Sequence, residues 1–449
     1  MKRVRFRFAH FAFPLLFAGL TAAQLSGRPV ETADGRSVAP FPLNARSAIL
    51  IDQTTGRVLF EYNADQPLAP ASLAKLMSLH IVYEKLEDRS INRSDVVSIT
   101  SNAWANNQAP GSSLMDLGPG QIVTVEELMR GMAVASGNDA ATALAEYTAG
   151  STEKFVRLMN EEARFMGYSV TRFTDPSGYG PGNRTTAREF ADFCRRYICA
   201  HPQSMEELHS LREFEYPLRQ NMADARRATP YRTKRQFNPN YLVWDDFGVD
   251  GLKTGHLDNN NFTAAITARR GAMRLIAVLL GVPGRSLVDG SRRRAEDGMN
   301  LLSYGYRNYT TIELDPPVLP PVRVWEGSQR DLAIAAARPI YVTARRSEME
   351  KLAYAMDVRV PLVAPVVQGQ RVGSLVYSAG NRDVALVPLV AASAIERGGL
   401  VRSALDSAFL SLSAVFGGSA ASLRSTFDTV PPQALLSAGS AADPERRTP

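Results

Sequence analysis

Lys253-Thr254-Gly255-His256 is the stretch that decides the fold class of this 449-residue chain. Two shorter motifs stand upstream of it, Ser72-Leu73-Ala74-Lys75 and Ser136-Gly137-Asn138. Each motif is common by itself. In this order, however, they supply a serine, two lysines, a second serine and an asparagine in the arrangement of serine acyl-transfer enzymes. We therefore interpret the three motifs as parts of one site.

Lysine is scarce in this chain. Lysine and arginine together number 51, and only seven of these residues are lysines. Two of the seven, Lys75 and Lys253, lie inside the motifs. A lysine can lose its proton when it is buried or lies near another cation, whereas an arginine essentially cannot. We therefore expect proton chemistry at Lys75, with Lys253 as the second cation that lowers its pKa.

The spacing of Ser72 and Lys75 fits a nucleophile and its base. A helix predicted to begin near Ala71 places residues i and i+3 on one face, so the lysine amine can reach the serine hydroxyl. The first turn of a helix also favours a developing alkoxide. A serine hydroxyl needs a base within hydrogen-bond reach, because it is a poor nucleophile at neutral pH. We predict Ser72 as the nucleophile and Lys75 as its general base.

A second serine-lysine pair serves as an internal control. Ser151-Thr152-Glu153-Lys154 has the same spacing, but it follows Gly150 and opens an amphipathic helix. A serine in that place is typical of a helix N-cap. Only the Ser72 motif has the other two motifs after it. We therefore predict a structural role for Ser151.

The composition is that of a globular protein, with 45% hydrophobic and 21% charged residues. The net charge of +6 includes four cations before residue 24, and removing them leaves +2. Nucleic-acid binding is therefore not predicted. The same cations precede an apolar run at 11–20 and small residues at 21–23, which is typical of a secretory signal peptide. We predict export to the periplasm with cleavage near Ala23, in preference to a retained membrane anchor.

Neither cysteines nor histidines indicate a special site. Cys194 and Cys199 would lie roughly 8 Å apart on a continuous helix, which exceeds the reach of a disulfide. We predict two free thiols. The histidines at positions 10, 80, 201, 209 and 256 show no metal-ligand spacing. No metal and no other cofactor is predicted, and His80 is interpreted as a core residue.

The pattern along the chain predicts two domains and a C-terminal extension. Strand signals and helical periodicity alternate over 44–310, which we assign to the domain that carries the motifs. Residues 311–391 are rich in strand signals and are predicted to form a small β-rich domain without catalytic residues. Residues 395–416 have an apolar stripe at helical spacing, which predicts an amphipathic helix. The composition of 417–449 indicates a disordered tail.

The three motifs and the sequence around them resemble the low-molecular-weight penicillin-binding proteins, specifically the serine D-alanyl-D-alanine carboxypeptidases. Further blocks carry the same resemblance: Asp52–Gly56, Asn102–Trp104, Gly111–Met115, Arg130–Gly131, Ser136–Ala140 and Asp250–His256. The resemblance implies an α/β (α+β) transpeptidase/β-lactamase-like fold, an antiparallel sheet flanked by helices, followed by a small β-rich domain. It also implies peripheral association of the C-terminal helix with the inner membrane. The alternative is that this helix packs against its own β domain.

The resemblance also implies a role for each motif residue. Ser72 would be acylated by a peptidoglycan stem peptide or by a β-lactam, with Lys75 as base. Ser136 would relay a proton to the leaving amine. The substrate would be bound by Asn138, Lys253, Thr254, Gly255 and His256. The backbone N–H groups of Ser72 and His256 would form the oxyanion hole.

Two positions depart from the pattern of the family. Asn261 stands before Phe262 where a glycine is usual, and Pro239 replaces a basic residue of some members. Recognition of the substrate carboxylate is therefore expected to depend more on Lys253, Thr254 and His256.

Three other functions remain open from the sequence. A class A β-lactamase usually has Ser-Asp-Asn as its second motif and a glutamate for deacylation, neither of which we find. A D,D-endopeptidase acting on peptidoglycan cross-links would use the same residues. A non-catalytic penicillin-binding scaffold would be expected to have lost some of them. The sequence favours a D-alanyl-D-alanine carboxypeptidase.

Overall fold

The computed structural model describes residues 30–31, 37–223, 232–245, 247–416, 423–424 and 428–429. The predicted signal peptide at 1–23 lies outside these residues. So does most of the predicted tail at 417–449.

A five-stranded antiparallel sheet forms the centre of the first domain. Its strands are β1 Ser47–Asp52, β2 Val58–Tyr62, β3 Val249–His256, β4 Phe262–Arg270 and β5 Met273–Val282. Their order is β2-β1-β5-β4-β3. Strand β3 therefore lies at one edge of the sheet. An edge strand has backbone groups free to pair with an extended peptide.

Among the described residues, six helices accompany this sheet: α1 Ala74–Glu87, α2 Val125–Ala133, α3 Asn138–Ala149, α4 Thr152–Phe165, α5 Ala187–Ala200 and α6 Leu287–Asn308. Alternate strand residues face opposite sides of the sheet. Ile49 and Ile51 pack with α1 to α5 in one core, whereas Leu50 packs with α6 in another. The predicted fold class, an antiparallel sheet flanked by helices, is confirmed.

Shorter elements complete the domain. Two-residue and four-residue strands pair as Val30–Glu31 with Ser37–Val38, Val96–Val97 with Val123–Thr124, and Glu213–Tyr216 with Lys234–Phe237. The short helical turns are Ala71–Leu73, Ser101–Ala103, Ala105–Asn107, Met205–His209, Arg219–Asn221 and Tyr241–Trp244.

The start of α1 differs from the prediction. The sequence predicted a helix from about Ala71, but Ala71–Leu73 is a 3-10 turn and α1 begins at Ala74. Ala71 has a φ of 52°, which is incompatible with a continuous right-handed helix. Ser72 therefore lies just before α1 and not in its first turn. The N-cap predicted at Ser151 is confirmed.

The second part of the structure is rich in strands, as predicted. Its strands are β6 Tyr309–Leu314, β7 Val322–Trp325, β8 Asp331–Leu332, β9 Ile334–Ala336, β10 Ile340–Arg345, β11 Leu352–Val358, β12 Leu362–Val363, β13 Arg371–Ala379 and β14 Arg382–Ala391. Strands β6 and β10 pair with each other, and β7 lies between β8 and β12. A short 3-10 helix, Arg346–Lys351, precedes β11. The apolar side chains of these strands form a separate core.

Hydroxyl groups join the two parts of the chain. Thr311 on β6 donates to the buried Asp52 carboxylate at 2.7 Å, and its Oγ1 lies 3.0 Å from Thr343 Oγ1. Thr55 Oγ1 lies 2.8 Å from Thr343 Oγ1, and Arg57 donates to the Thr343 carbonyl. A buried carboxylate is stable only when it is hydrogen-bonded. The end of β1 is therefore bound to the β-rich part through Asp52.

The C-terminal extension differs from the prediction in two places. The helix, α7 Leu400–Phe416, begins five residues later than residue 395. Ile395 instead forms a β-bridge with Val366 and is buried. In the predicted tail, β15 Leu423–Arg424 and β16 Asp428–Thr429 pair with β11. The prediction of disorder is wrong for these four residues, because the free backbone of β11 at the sheet edge binds them. Among the described residues, no helix is long and apolar enough to cross a membrane.

Candidate active site

The Ser72 hydroxyl lies at the centre of the site. The 3-10 turn presents it half-buried, between two fully buried neighbours, Ala71 and Leu73. Thr263 on β4 anchors the turn by donating to the Pro70 carbonyl at 2.9 Å. The turn is thus fixed against the sheet immediately before α1.

Lys75 is completely buried and has three hydrogen-bond partners. Its Nζ lies 2.9 Å from Ser72 Oγ, 2.7 Å from Asn138 Oδ1 and 3.0 Å from the Ser177 carbonyl oxygen. The two motifs that the sequence placed 63 residues apart therefore meet at one amine. Asn138 and Ser177 present oxygens that only accept hydrogen bonds. The Ser72 hydroxyl can either accept or donate.

Burial lowers the pKa of Lys75 to about 7, against the opposing influence of the carboxylates of Asp175 and Asp139. A large fraction of this amine is therefore neutral near pH 7. The sequence predicted a lowered pKa with Lys253 as a second cause. Burial is the principal cause, and the cation effect is found instead at Lys253. Its own pKa is held well below the ordinary lysine value by burial, and further by Lys75 and Arg294.

The second motif forms a tight loop between α2 and α3. Ser136 is buried and has a φ of 59°, a conformation that costs about 1–3 kcal/mol for a residue other than glycine. Asn138 begins α3, and its Nδ2 donates to Ser112 Oγ at 3.1 Å, which fixes Oδ1 toward Lys75. Ser136 is not among the hydrogen-bond partners of Lys75, but it lies two residues from one of them. Backbone strain of this kind is concentrated at functional sites.

Asp139 fixes the backbone of residues 115–117 beside this loop. Its buried carboxylate accepts from the backbone N–H groups of Met115, Asp116 and Leu117 at 2.8 to 3.1 Å. Burial nevertheless raises the pKa of this carboxyl, against those hydrogen bonds. Asp139 therefore positions Ser112, the partner of Asn138, by fixing the residues that follow it.

Asp175 organises a loop that the motif analysis did not identify. One carboxylate oxygen accepts from the N–H groups of Ser177 and Gly178 at 2.8 and 2.7 Å. The other accepts from Gly180 N–H at 2.8 Å and from Asn183 Nδ2 at 2.6 Å. Burial tends to raise the pKa of Asp175, but these hydrogen bonds hold it below the usual value. The loop presents the Ser177 carbonyl to Lys75.

Strand β3 brings the third motif against the Ser72 turn. A Cβ at Gly255 would lie 2.8 Å from Ser72 N and 2.5 Å from Thr263 Oγ1. The glycine is therefore required by the close approach of β3 to the backbone of Ser72, whereas the sequence predicted a role for Gly255 in binding substrate. Lys253 and Thr254 are both buried, and Lys253 Nζ donates to the Thr254 carbonyl at 3.1 Å.

Arg294 on α6 supports β3 from behind, and no motif indicated it. Its guanidinium is buried and donates to the carbonyls of Gly255 and Pro239, each at 3.0 Å. Burial lowers its pKa to about 10. Pro239, which replaces a basic residue of some family members, thus contributes through its backbone carbonyl. The His256 ring packs on Phe262, with the two ring centroids 4.3 Å apart. The imidazole is thus directed at Phe262, and the backbone of His256 is the part available to the site.

The other departure from the family pattern, Asn261 in place of glycine, is accommodated without strain. Asn261 closes the turn after β3, where its carbonyl accepts from Leu257 N–H at 3.2 Å. Its φ lies outside the left-handed region. The turn does not need glycine at this position.

A cleft of about 670 Å³ opens beside Asn138. Ser112, Asp175, Ser177 and Tyr179 are among its lining residues. A cavity of this size can accommodate a peptide or a drug-sized ligand. Asn138 and Ser177 both contact Lys75, so the cleft lies beside the two residues that hold the buried amine.

The predicted structural residues lie apart from this cluster. Ser151 accepts from Lys154 N–H at 3.2 Å, as an N-cap does. Both cysteines are free, Cys194 buried and Cys199 exposed. His80 is buried on α1, as predicted, but Nε2 of His80 lies near the carboxylates of Glu84 and Glu162. The spacing of the histidines did not indicate this group, because Glu162 comes from a different helix.

Comparison with known proteins identifies the class. A family model described as D-alanyl-D-alanine carboxypeptidase matches residues 34–284, and the C-terminal domain of penicillin-binding protein 5 matches residues 308–397. D-alanyl-D-alanine carboxypeptidase DacC of Escherichia coli is 33% identical over 399 residues, covering 87% of this chain and 94% of that protein.

Solved structures agree with the family models. Penicillin-binding protein 5 from Haemophilus influenzae has a TM-score of 0.71 and 30% identity, covering 80% of this chain and all of the other. Penicillin-binding protein D2 from Listeria monocytogenes, in its ampicillin-bound form, has a TM-score of 0.50 and 25% identity, covering 60% of this chain and all of the other.

A buried lysine between a serine and an asparagine, facing the edge of an antiparallel sheet, defines a serine acyl-transfer enzyme. The chain belongs to the low-molecular-weight penicillin-binding proteins, as a serine-type D-alanyl-D-alanine carboxypeptidase. The predictions of family, fold class, enzyme class and activity are confirmed.

Proposed function

We propose that Ser72 is the residue acylated during removal of the terminal D-alanine from a peptidoglycan stem pentapeptide. The observation that carries this assignment is the 2.9 Å contact between Lys75 Nζ and Ser72 Oγ, at an amine whose pKa is lowered to about 7. A general base is most effective when its pKa is near the working pH.

The contacts of Lys75 determine where its lone pair lies. A neutral amine has two N–H bonds and one lone pair. Asn138 Oδ1 and the Ser177 carbonyl can only accept, so they take the two N–H bonds. The lone pair then faces Ser72 Oγ, the one partner that can donate. The neutral lysine is thus oriented to remove the proton of the serine hydroxyl.

Acylation follows from this proton transfer. Ser72 Oγ attacks the carbonyl carbon of the penultimate D-alanine, while Lys75 takes the proton. The oxyanion would accept hydrogen bonds from the backbone N–H groups of Ser72 and His256. The close fit of Gly255 against Ser72 N supports this pairing, since it holds β3 beside the nucleophile. Each oxyanion-hole donor typically contributes about 3–4 kcal/mol of transition-state stabilisation.

The leaving group and water complete the reaction. As the C–N bond breaks, the D-alanine amine takes a proton, which Ser136 would relay from Lys75. Water then attacks the acyl-enzyme, giving its proton to Lys75 and its hydroxyl to the acyl carbon. The Ser72 oxygen leaves with a proton and the enzyme is restored. Asn138 would hold the substrate amide, and Lys253 and Thr254 would bind the terminal carboxylate.

The same nucleophile would react with β-lactams. A penicillin presents a strained amide and a carboxylate with the spacing of the peptide terminus. The structural similarity to an ampicillin-bound protein supports this proposal. We therefore propose that penicillins acylate Ser72 covalently.

The protein would act outside the inner membrane. The sequence pattern at 1–23 supports export to the periplasm. Leu400, Val401 and Leu405 of α7 are 92%, 77% and 68% exposed. This apolar surface supports peripheral contact with the inner membrane. The alternative, that the helix packs against its own β domain, is supported by the contacts of Phe409 with Trp325 and of Asp406 with Glu326.

One experiment tests the activity. Purified enzyme is incubated with a stem pentapeptide and, separately, with a cross-linked peptide dimer, and free D-alanine and monomer are measured. We expect D-alanine from the pentapeptide to form much faster than monomer from the dimer. Faster cleavage of the dimer would instead establish an endopeptidase. No cleavage, together with covalent labelling by a fluorescent penicillin, would establish a non-catalytic scaffold.

A further inference from the structure

A second cluster of ligand-type side chains lies on α1, one and a half turns beyond Lys75. His80 is buried, and Glu84 follows it by one helical turn, so both lie on one face. Glu162 reaches the same point from α4. His80 Nε2 lies 3.7 Å from a Glu84 oxygen and 3.5 Å from a Glu162 oxygen. All three ligand atoms lie within 4.8 Å of one another.

The His80 Nε2 atom is buried and has no hydrogen-bond partner. Its nearest polar neighbours are the two carboxylates, which lie just beyond hydrogen-bond distance. An unpaired buried polar atom is destabilising unless something binds it. The group therefore points to an absent partner of positive charge.

The other side of the imidazole is already bound. His80 Nδ1 lies 2.8 Å from Nε2 of His201, and Nδ1 of His201 lies 3.1 Å from Glu87. The His201 ring is buried, and in its neutral form it carries one proton. Its one proton belongs on Nδ1, because Glu87 only accepts. His201 Nε2 then accepts from His80 Nδ1–H, which leaves the His80 Nε2 lone pair facing the carboxylates.

Such a chain of hydrogen bonds is the usual support of a metal-binding histidine. Ligand histidines generally donate their second N–H to a buried acceptor, which fixes the tautomer and the ring orientation. Here His201 and Glu87 supply that support.

We propose that His80, Glu84 and Glu162 form a binding site for a divalent transition-metal ion such as Zn²⁺. One imidazole and two carboxylates are a common zinc ligand set. Bonds of about 2.0–2.2 Å in tetrahedral geometry place two ligand atoms roughly 3.3–3.6 Å apart. The His80 distances of 3.5 and 3.7 Å are close to that edge length.

The location gives the site a structural role. The ion would link α1 to α4, and α1 is the helix that carries Lys75. Glu84 is about half exposed, which provides a route of entry and room for a water as fourth ligand. The imidazole favours zinc over Mg²⁺ and Ca²⁺, which prefer oxygen ligands.

Untagged protein freed of metal is titrated with ZnCl₂ by calorimetry, and its thermal unfolding is followed with and without zinc. We expect one zinc ion per chain and a higher unfolding midpoint. Co²⁺ should give the intense visible absorption of a four-coordinate site. MgCl₂ should have no such effect.

Variants distinguish this site from others. Glu162→Gln should weaken zinc binding on the order of tenfold or more and abolish the Co²⁺ absorption, since it removes a ligand. Its exposed neighbour, Glu161→Gln, is the matched control and should bind as the parent does. Glu84→Gln repeats the test at a more exposed position, in case Glu162→Gln folds poorly.

Three results would overturn the proposal. The first is that the parent protein binds no zinc at micromolar concentration. The second is that Glu162→Gln and Glu84→Gln bind zinc as well as Glu161→Gln does. The third is that Cys199→Ser, which removes the exposed thiol, abolishes zinc binding by itself.

Discussion

At the scale of single residues, the central feature is a lysine kept partly neutral in a buried position. Two carbonyl-type acceptors and one hydroxyl surround it, so the geometry selects Ser72 as the proton donor. A guanidinium cannot lose its proton at neutral pH. An arginine at position 75 would therefore keep the positive charge but could not take the proton from Ser72.

The first prediction is that Lys75→Arg loses acylation almost as completely as Lys75→Ala. We expect acylation by penicillin to be slower by about 10²–10⁴-fold in each, which is the contribution of a general base. The rate of labelling by a fluorescent penicillin measures this effect. An arginine variant that acylates within about tenfold of the parent would show that proton abstraction by Lys75 is not the mechanism.

The second prediction concerns pH. The proposed base is the deprotonated form of Lys75, and burial lowers the pKa of this lysine to about 7. The rate of acylation should therefore rise with pH and reach half of its limiting value near that pKa. The rate constant of penicillin labelling is measured across this range, with circular dichroism to establish that the fold is intact throughout. A rate that is flat, or that falls as pH rises, would contradict the assignment.

The third prediction uses the two serines with the same spacing to lysine. Ser72→Ala should abolish both penicillin labelling and D-alanine release, because it removes the nucleophile. Ser151→Ala should leave both intact and cost about 1 kcal/mol of stability, because only an N-cap hydrogen bond is lost. Residual covalent labelling of the Ser72→Ala protein would place the nucleophile elsewhere.

Residues within a motif could be predicted from the sequence, and residues whose side chains hold the backbone of other residues in place could not. Lys75 and Asn138 were predicted as partners of the site because their side chains carry the chemistry. Asp175 and Arg294 act by holding a carbonyl or an N–H in place. Such roles depend on where the backbone lies in space, which the spacing of residues in the sequence does not determine.

At the scale of elements, β3 can approach the Ser72 turn this closely only because residue 255 is a glycine. The fourth prediction is that Gly255→Ala slows acylation on the order of 10²-fold, because the new Cβ would push β3 away from Ser72 N. Acylation rate and thermal stability are measured together. Gly118→Ala is the control, since a Cβ there would meet nothing closer than 3.9 Å. An equal effect in both variants would show that the glycine contact does not matter.

Elements with strong local signals were predicted well. The N-cap at Ser151 and the strands of the β-rich part follow from side chains near in sequence. The start of α1 and the pairing of β15 and β16 with β11 were not predicted. They depend on the backbone of Ala71 and on a free sheet edge, which arise only from the tertiary structure.

At the scale of the whole molecule, α7 is attached to the β-rich part by only part of its surface. Phe409 stacks on Trp325 with ring centroids 5.2 Å apart, and Asp406 accepts from Glu326 N–H at 2.8 Å. Leu400 and Leu405 remain exposed. The helix therefore contacts the protein through Phe409 and Asp406, while Leu400 and Leu405 are free to contact a membrane.

The last prediction is that a chain ending after Gly399 moves from the membrane fraction to the soluble periplasmic fraction and is still labelled by penicillin. The cut has to come after Ile395, which is buried, because an earlier cut would remove core residues of the β-rich part. A chain ending after Phe416 keeps α7 and is the control, which should remain with the membrane. Fractionation followed by fluorescent-penicillin labelling measures both properties. If the full-length protein is already soluble, the exposed stripe does not bind membrane. If the control becomes soluble as well, the residues after α7 provide the attachment.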